Sequence, residues 1–266
     1  MKALHGMVVL HRWPVLFLLL LATVGCDQQE AQQIPGEAGD TTGVNQSTPE
    51  LKKEPWPFLG KAENSNSAAN LLAANFYVVF DGSGSMNSNS CGGGFAKIDA
   101  AKKAMAAFVQ AMPADANVGL VVFDSSGTKE RASLDQKNRD QVQQEVVQVI
   151  AGGGTPLSTA IDIAYDRLTA KARDQLAYGD YHLVVITDGQ ASSGYDPSPV
   201  LEKILKESPV IVQTIGFCID DDHALNQQGR TIYKTAQDFE SLKQGLESVL
   251  AEAPDFAVAE FADTRP

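Results

Sequence analysis

The sequence predicts a single α/β domain, a doubly wound and mostly parallel sheet with helices on both faces. Three observations carry that prediction. Four near-continuous apolar runs, residues 75–81 (NFYVVFD), 117–124 (NVGLVVFD), 182–188 (HLVVITD) and 210–217 (VIVQTIGF), have strand length and no polar alternation. Such runs suit parallel strands covered on both faces. Apolar stripes at helical spacing lie between them, and strand–helix alternation builds an open α/β sheet. Three of the four runs also end in an aspartate, at the carboxyl ends of strands, where open sheets of this kind bind their ligands.

Taken in order, the first strand is followed by Ile98, Ala101, Met105, Phe108, Val109 and Met112, an apolar stripe at i, i+3, i+4 spacing. After the second strand, residues 130–134 read as a short edge strand. Val142, Val146, Val147 and Ile150 then form a second stripe. The third helix carries Leu157, Ile161, Ala164, Tyr165 and Leu168, with Thr155 as its expected cap and Pro156 at its first position. Residues 231–234 (TIYK) make a weaker fifth strand, and Phe239, Leu242, Leu246 and Leu250 close the domain behind Asp238 as N-cap. These boundaries give a domain over residues 71–252 and a tail over 253–266 without a clear element.

The N-terminal part has a different character. Lys2 and Arg12 precede a 12-residue apolar run from Trp13 to Val24, too short to span a bilayer comfortably and typical of an export signal, here residues 1–25. It ends in Thr23-Val24-Gly25-Cys26, which resembles a lipobox, where lipid is attached to the cysteine; Thr23 stands where Leu is usual. Lipidation of Cys26 is the expectation, and an ordinary cleaved signal with an incidental cysteine is the competing reading. Two or more acyl chains hold firmly where one does not, at roughly 0.8 kcal/mol per buried CH₂. Asp27 resembles, in enteric bacteria, a signal for retention at the inner membrane. The expected location is therefore the cell envelope, at the periplasmic face of the inner membrane in preference to the outer membrane. Residues 26–70 follow as a tether rich in Gln, Gly, Pro, Asn and Ser, with no surviving periodicity. A coil of that length reaches roughly 35–40 Å. Trp56, Phe58 and Leu59 are its apolar residues available for docking.

Charge narrows the function. The full chain carries −12, and removing the leader's two basic residues takes it to −14. A polyanion is unsuited to nucleic acid, whose binding runs on Lys and Arg, and suits cation binding better. The three cysteines form no CxxC pair and no zinc spacing. Cys91 and Cys218 are left over beside Cys26, and in an exported protein such a pair suits a disulfide, with two free thiols as the alternative.

The chemistry gathers at the strand ends. Asp81-Gly82-Ser83-Gly84-Ser85 ends the first run, Thr187-Asp188-Gly189 ends the third, and Gly152-Gly153-Gly154-Thr155-Pro156-Leu157 precedes a helix. Asp81, Ser83 and Ser85 are two apart in a turn, so their side chains can converge, and the glycines permit a tight backbone path. Two carboxylates and three hydroxyls are hard oxygen donors, suited to Mg²⁺ first and to Mn²⁺ or Ca²⁺, not to zinc or copper. Two negative charges balance a divalent ion and leave it electrophilic. Turn-forming residues alone would also account for any one loop, but not for three that coincide.

DxSxS, a later Thr and a later TDG together resemble the metal-ion-dependent adhesion site of von Willebrand factor A domains. All five positions are present: Asp81, Ser83, Ser85, Thr155 and Asp188. The resemblance implies that the serines and the threonine bind the ion directly or nearly so, and that the aspartates act directly or through water. It implies a binding module rather than an enzyme, with a protein partner offering an Asp or Glu carboxylate and no small-molecule substrate. Residues 87–95 (NSNSCGGGF) depart from the pattern as an insertion beside the metal loop.

Enzymatic readings fare worse. GxSxG is absent, the GGGTPL loop lacks the lysine of a P-loop, and Asn87 stands where GxGxxG needs its third glycine. Metal-assisted hydrolysis stays open without an evident general base. An envelope assembly factor working with an ATPase, as some bacterial members of the family do, also stays open. Asp220-Asp221-Asp222-His223 reads as a solvated loop in preference to a second cation site, and His182 as a packing residue.

Overall fold

The computed structural model describes residues 55–57, 70–91 and 93–251. The leader, Cys26, Phe58, Leu59 and the tail lie outside them. In chain order the elements are β1 (Ala74–Asp81), α1 (Lys97–Ala111), β2 (Asn117–Asp124), β3 (Gly127–Asp135), α2 (Arg139–Val147) and α3 (Leu157–Asp174). They continue with β4 (Asp180–Thr187), α4 (Ser198–Glu207), β5 (Ile211–Phe217), β6 (Ile232–Ala236) and α5 (Phe239–Ala251). The six strands form one sheet in the order β3-β2-β1-β4-β5-β6. All neighbours are parallel except β3, which turns back against β2.

The absence of alternation in β1 now has its cause. Phe76, Val78 and Phe80 point to one core with Met105, Phe108, Leu242 and Leu246 of α1 and α5. Tyr77 and Val79 point to the other with Leu157, Ile161, Leu168 and Leu201 of α3 and α4. Successive side chains alternate faces, and both faces are dry. His182 serves as packing, stacked on Phe76 at 4.7 Å with Nδ1 3.1 Å from Gln213 Oε1.

Some elements differ from the sequence reading. The edge strand is nine residues long rather than five, because Gly127, at φ 91°, lets β2 fold back on itself as a hairpin. Helix α4 carries only Leu201 and Ile204 as buried residues, too short a stripe to stand out. Val147 and Ile150 are 64% and 68% exposed; α2 stops at Val147, and Val149 takes the inward place instead. Thr155 does not cap α3. Pro156 holds the cap position with no side-chain bond, while Asp238 does cap α5, accepting from Ser241 N at 2.8 Å.

Part of the segment read as tether is fixed on the domain. Trp56 is buried, donates from Nε1 to Thr169 Oγ1 at 3.0 Å and meets Tyr181 edge-on at 5.0 Å. Arg173 Nε donates to the Pro57 carbonyl at 3.0 Å.

Candidate metal centre

From β1 the chain winds outward through β2 to β3, then returns to lay β4 on the other flank of β1. The winding reverses between β1 and β4, and a crevice opens there beyond the carboxyl ends. Asp81 ends β1 and Asp188 directly follows β4, so the two carboxylates stand at that switch point.

Their hydrogen bonds form one continuous chain. Asp81 Oδ1 accepts from Ser83 N at 2.7 Å, and its Oδ2 accepts from Thr187 Oγ1 at 2.6 Å. Ser83 Oγ lies 3.0 Å from Ser85 Oγ, which donates to Asp188 Oδ1 at 2.6 Å. Asp81, Ser83 and Asp188 are buried, whereas Ser85 is exposed, so the cluster opens to solvent on the Ser85 side. Burial pushes the Asp81 carboxyl up to about 6; its bonds from Ser83 and Thr187 oppose the rise and the charge of Asp188 adds to it.

The loop that carries Thr155 is stitched to the loop that carries the serines. Gly152 N donates to Gly82 O at 2.8 Å, and Gly84 N donates to Gly153 O at 3.1 Å. A Cβ on Gly82 would stand 2.6 Å from Val149 Cγ1 and 2.9 Å from Asp124 Cβ, and Gly153 sits at φ 78°. The close approach therefore needs glycine at both places. Thr155 is buried and held by its backbone. Its N–H donates to Ser192 Oγ at 2.8 Å, and its carbonyl accepts from Ser192 N at 3.0 Å. Its hydroxyl is not spent on capping α3.

The supporting roles of four residues escaped the sequence reading, and His223, read there as part of a solvated loop, is buried. Thr187 and Ser192 position Asp81 and Thr155 as described. Lys97, the first residue of α1, places its ammonium 2.9 Å from Asp188 Oδ2, with both side chains buried. His223 accepts at Nδ1 from Leu225 N and donates from Nε2 to Gly189 O, each at 3.1 Å, which braces the turn after Asp188. Burial lowers the His223 pKa, against the bond to Gly189, and favours the neutral ring. Asp220, Asp221 and Asp222 in the same loop are exposed. Lys97 had a signal: four residues before Ala101, it is a charge on the apolar side of α1.

The insertion lies beside this cluster. Its base is closed by Lys97 N donating to Ser88 O at 2.9 Å. Cys91 is joined to Cys218, just past the end of β5, with Cα atoms 6.0 Å apart. Both cysteines have positive φ, 75° and 61°.

The donor set fits a hard cation. Asp81, Ser83, Ser85 and Asp188 supply only oxygen, they converge within hydrogen-bond distances, and one flank is open. Among the described residues no group of three or more His, Cys, Asp or Glu gathers to hold a metal, so neutral oxygens such as the serine hydroxyls would have to join the two carboxylates in any shell. Both ring nitrogens of His223 are engaged with backbone, and His182 lies in the core. Neither is placed as a base for Ser83 or Ser85.

Comparison with known proteins agrees with this fold. The profile of the von Willebrand factor type A domain matches residues 75–248. The uncharacterized protein YwmD of Bacillus subtilis (strain 168) is 31% identical over 173 residues, which cover 60% of this chain and 75% of that protein. Among solved structures, proximal thread matrix protein 1 of the mussel byssus, in a structure described as having a zinc occupied MIDAS motif, gives a TM-score of 0.54 at 18% identity. It covers 67% of this chain and 47% of its own. BatB from Bacteroides thetaiotaomicron gives 0.53 at 15% identity, over 68% of this chain and all of its own. The pilus adhesin SpaC of Lactobacillus rhamnosus GG gives 0.53 at 20% identity, over 70% of this chain and 31% of its own. This chain thus spans about half the mussel protein and under a third of the adhesin. At these identities the structural likeness establishes the fold. With residues 75–248 matched by the profile, the chain belongs to the von Willebrand factor type A domain family.

Proposed function

We propose that this chain is a membrane-anchored, metal-dependent protein-binding module. A divalent cation, Mg²⁺ in preference to Mn²⁺ or Ca²⁺, is held by Asp81, Ser83, Ser85, Thr155 and Asp188, and a carboxylate of a partner protein completes its shell. The observation that carries the reading is the run of bonds from Ser83 through Ser85 to Asp188, ending on an exposed serine. Donors that can hold a hard ion stand at the one open flank, where a second protein can reach it. Domains of this family often mediate metal-dependent protein interaction and are typically interaction modules rather than enzymes. Lipid on Cys26 holds the module in the cell envelope, at the periplasmic face of the inner membrane.

The test uses the chain from Asp27 onward, stripped of metal. Its melting temperature is recorded against Mg²⁺, Mn²⁺, Ca²⁺ and Zn²⁺, with Ser85→Ala and Asp188→Ala alongside. An ion that binds only the folded state adds RT ln(1 + [L]/Kd), about 2.7 kcal/mol at a hundred times Kd. A shift in the parent that both variants lose, and envelope proteins captured in Mg²⁺ and released by chelator, are the expected results. No shift at millimolar ion together with no chelator-sensitive capture would overturn the reading. Incorporation of labelled palmitate that Cys26→Ser abolishes tests the anchor.

A further inference from the structure

Lys97 is out of place by local rules. It opens α1, where the helix dipole disfavours a cation, and no side chain caps that end. Its side chain is only 9% exposed, on a residue type rarely buried unless paired. Its partner is Asp188, whose Oδ2 lies 2.9 Å from the ammonium and whose other oxygen is taken by Ser85. The backbone gives the lysine little freedom: its N–H is bonded to Ser88 O, and Ile98 and Ala101 anchor the first turn in the core. A fixed positive charge is therefore built against one of the two carboxylates at the switch point, and the formal charge of Asp81, Asp188 and Lys97 together is −1 rather than −2.

We propose that Lys97 is a positioning residue that sets the affinity of the metal site. It holds Asp188 in place without an ion, and it repels a divalent cation strongly enough that firm binding requires the extra negative charge of a partner carboxylate. Cation and partner then bind cooperatively: each raises the other's affinity by the same factor. This inference rests on the metal-site reading above. Like charges inside a partly buried site are weakly screened, and repulsion there is worth at least about tenfold in affinity.

The test titrates Mg²⁺ and Mn²⁺ into the chain from Asp27 onward by calorimetry, for the parent, Lys97→Met and Lys97→Gln. Methionine keeps the stem and removes the charge; glutamine also keeps a donor for Asp188. Both variants should bind each ion at least about tenfold more tightly than the parent. The metal-free melting temperature should fall in Lys97→Met, because Asp188 loses its cation. A parent that binds no ion beside variants that do bind would support the inference equally. Affinity that is unchanged or weaker in Lys97→Met, and restored in Lys97→Gln, would overturn it in favour of pure alignment of Asp188, with the metal site intact. No binding by the parent or by either variant would overturn both readings.

Discussion

Asp81→Asn should make the metal-free protein more stable. The carboxylate is fully buried, and burial raises its pKa from 3.8 to about 6. The native state therefore binds the proton more tightly than the unfolded chain. Stability falls as pH rises between those two values, and the full penalty is present above the upper one. Two pH units correspond to about 3 kcal/mol at 1.36 kcal/mol each. Asparagine removes the charge and keeps the bonds: its Oδ1 accepts from Ser83 N, and its Nδ2 donates to Thr187 Oγ1. The threonine hydroxyl then turns to Gly189 O, 3.1 Å away. In chelator at pH 7.0 the variant should gain about 1–3 kcal/mol over the parent, shrinking to about 1 kcal/mol or less at pH 4.5. Urea unfolding followed by fluorescence of the chain from Asp27 onward reports this cleanly, since Trp56 is its one tryptophan and is docked on the domain. Saturating Mg²⁺ should reverse the order, because only the parent gains from the ion. A variant less stable than the parent at pH 7.0 in chelator would refute the reasoning and make Asp81 a structural acceptor instead of an electrostatic burden.

The remaining predictions concern the frame around the site. Trp56→Ala should cost about 3 kcal/mol by the usual scale for a buried aromatic, measured by urea unfolding followed by circular dichroism; a cost under about 1 kcal/mol would mean that the indole packs loosely. Gly82→Ala forces a methyl to within 2.6 Å of Val149 Cγ1 and should cost about 1–3 kcal/mol, while Gly189→Ala, with nothing within 4 Å, should melt near the parent. In protein recovered from an oxidising compartment, alkylation under denaturing conditions should label neither Cys91 nor Cys218 until reductant is added. Cys91→Ser should cost about 2–4 kcal/mol, since the bridge closes a span of 127 residues.

The sequence displayed the sheet because its strands are covered twice. A strand with two dry faces has no polar positions, and β1, β2, β4 and β5 stand out on that account. Asp81 and Asp188 were legible for the complementary reason, as acids that interrupt such runs at their ends. Elements with one thin contact were not legible: α4 carries Leu201 and Ile204 as its fully buried side chains, and the signals that mark it, Asp196 accepting from Ser198 N and Pro197 before the first turn, are punctuation rather than pattern. Val147 and Ile150 misled because a stripe extends on paper past the point where the helix stops. Lys97 and His223 were hidden for a deeper reason. Each acts on a residue 91 or 34 positions away, and periodicity carries no information about which strand end a helix or loop will meet.

The two carboxylates are treated unequally, and that inequality organises the site. Asp188 has a cation, Lys97, at 2.9 Å; Asp81 has neutral donors on Ser83 and Thr187, with Ser83 N at 2.7 Å and Thr187 Oγ1 at 2.6 Å. A buried carboxylate with hydrogen bonds but no counter-charge remains costly, so the electrostatic deficit of the metal-free state sits on Asp81. An incoming ion gains most by relieving that deficit and least by competing for Asp188. The loops then have a second use beyond supplying ligands. Gly82 and Gly153 bring two backbones together around Asp81 and exclude water from it, which keeps the deficit large. Metal affinity and metal-free stability should therefore move in opposite directions when the Asp81 charge is removed, as in Asp81→Asn. Variants at Lys97 should show the same opposition for another reason, because there the charge that stabilises the metal-free state is the charge that repels the ion.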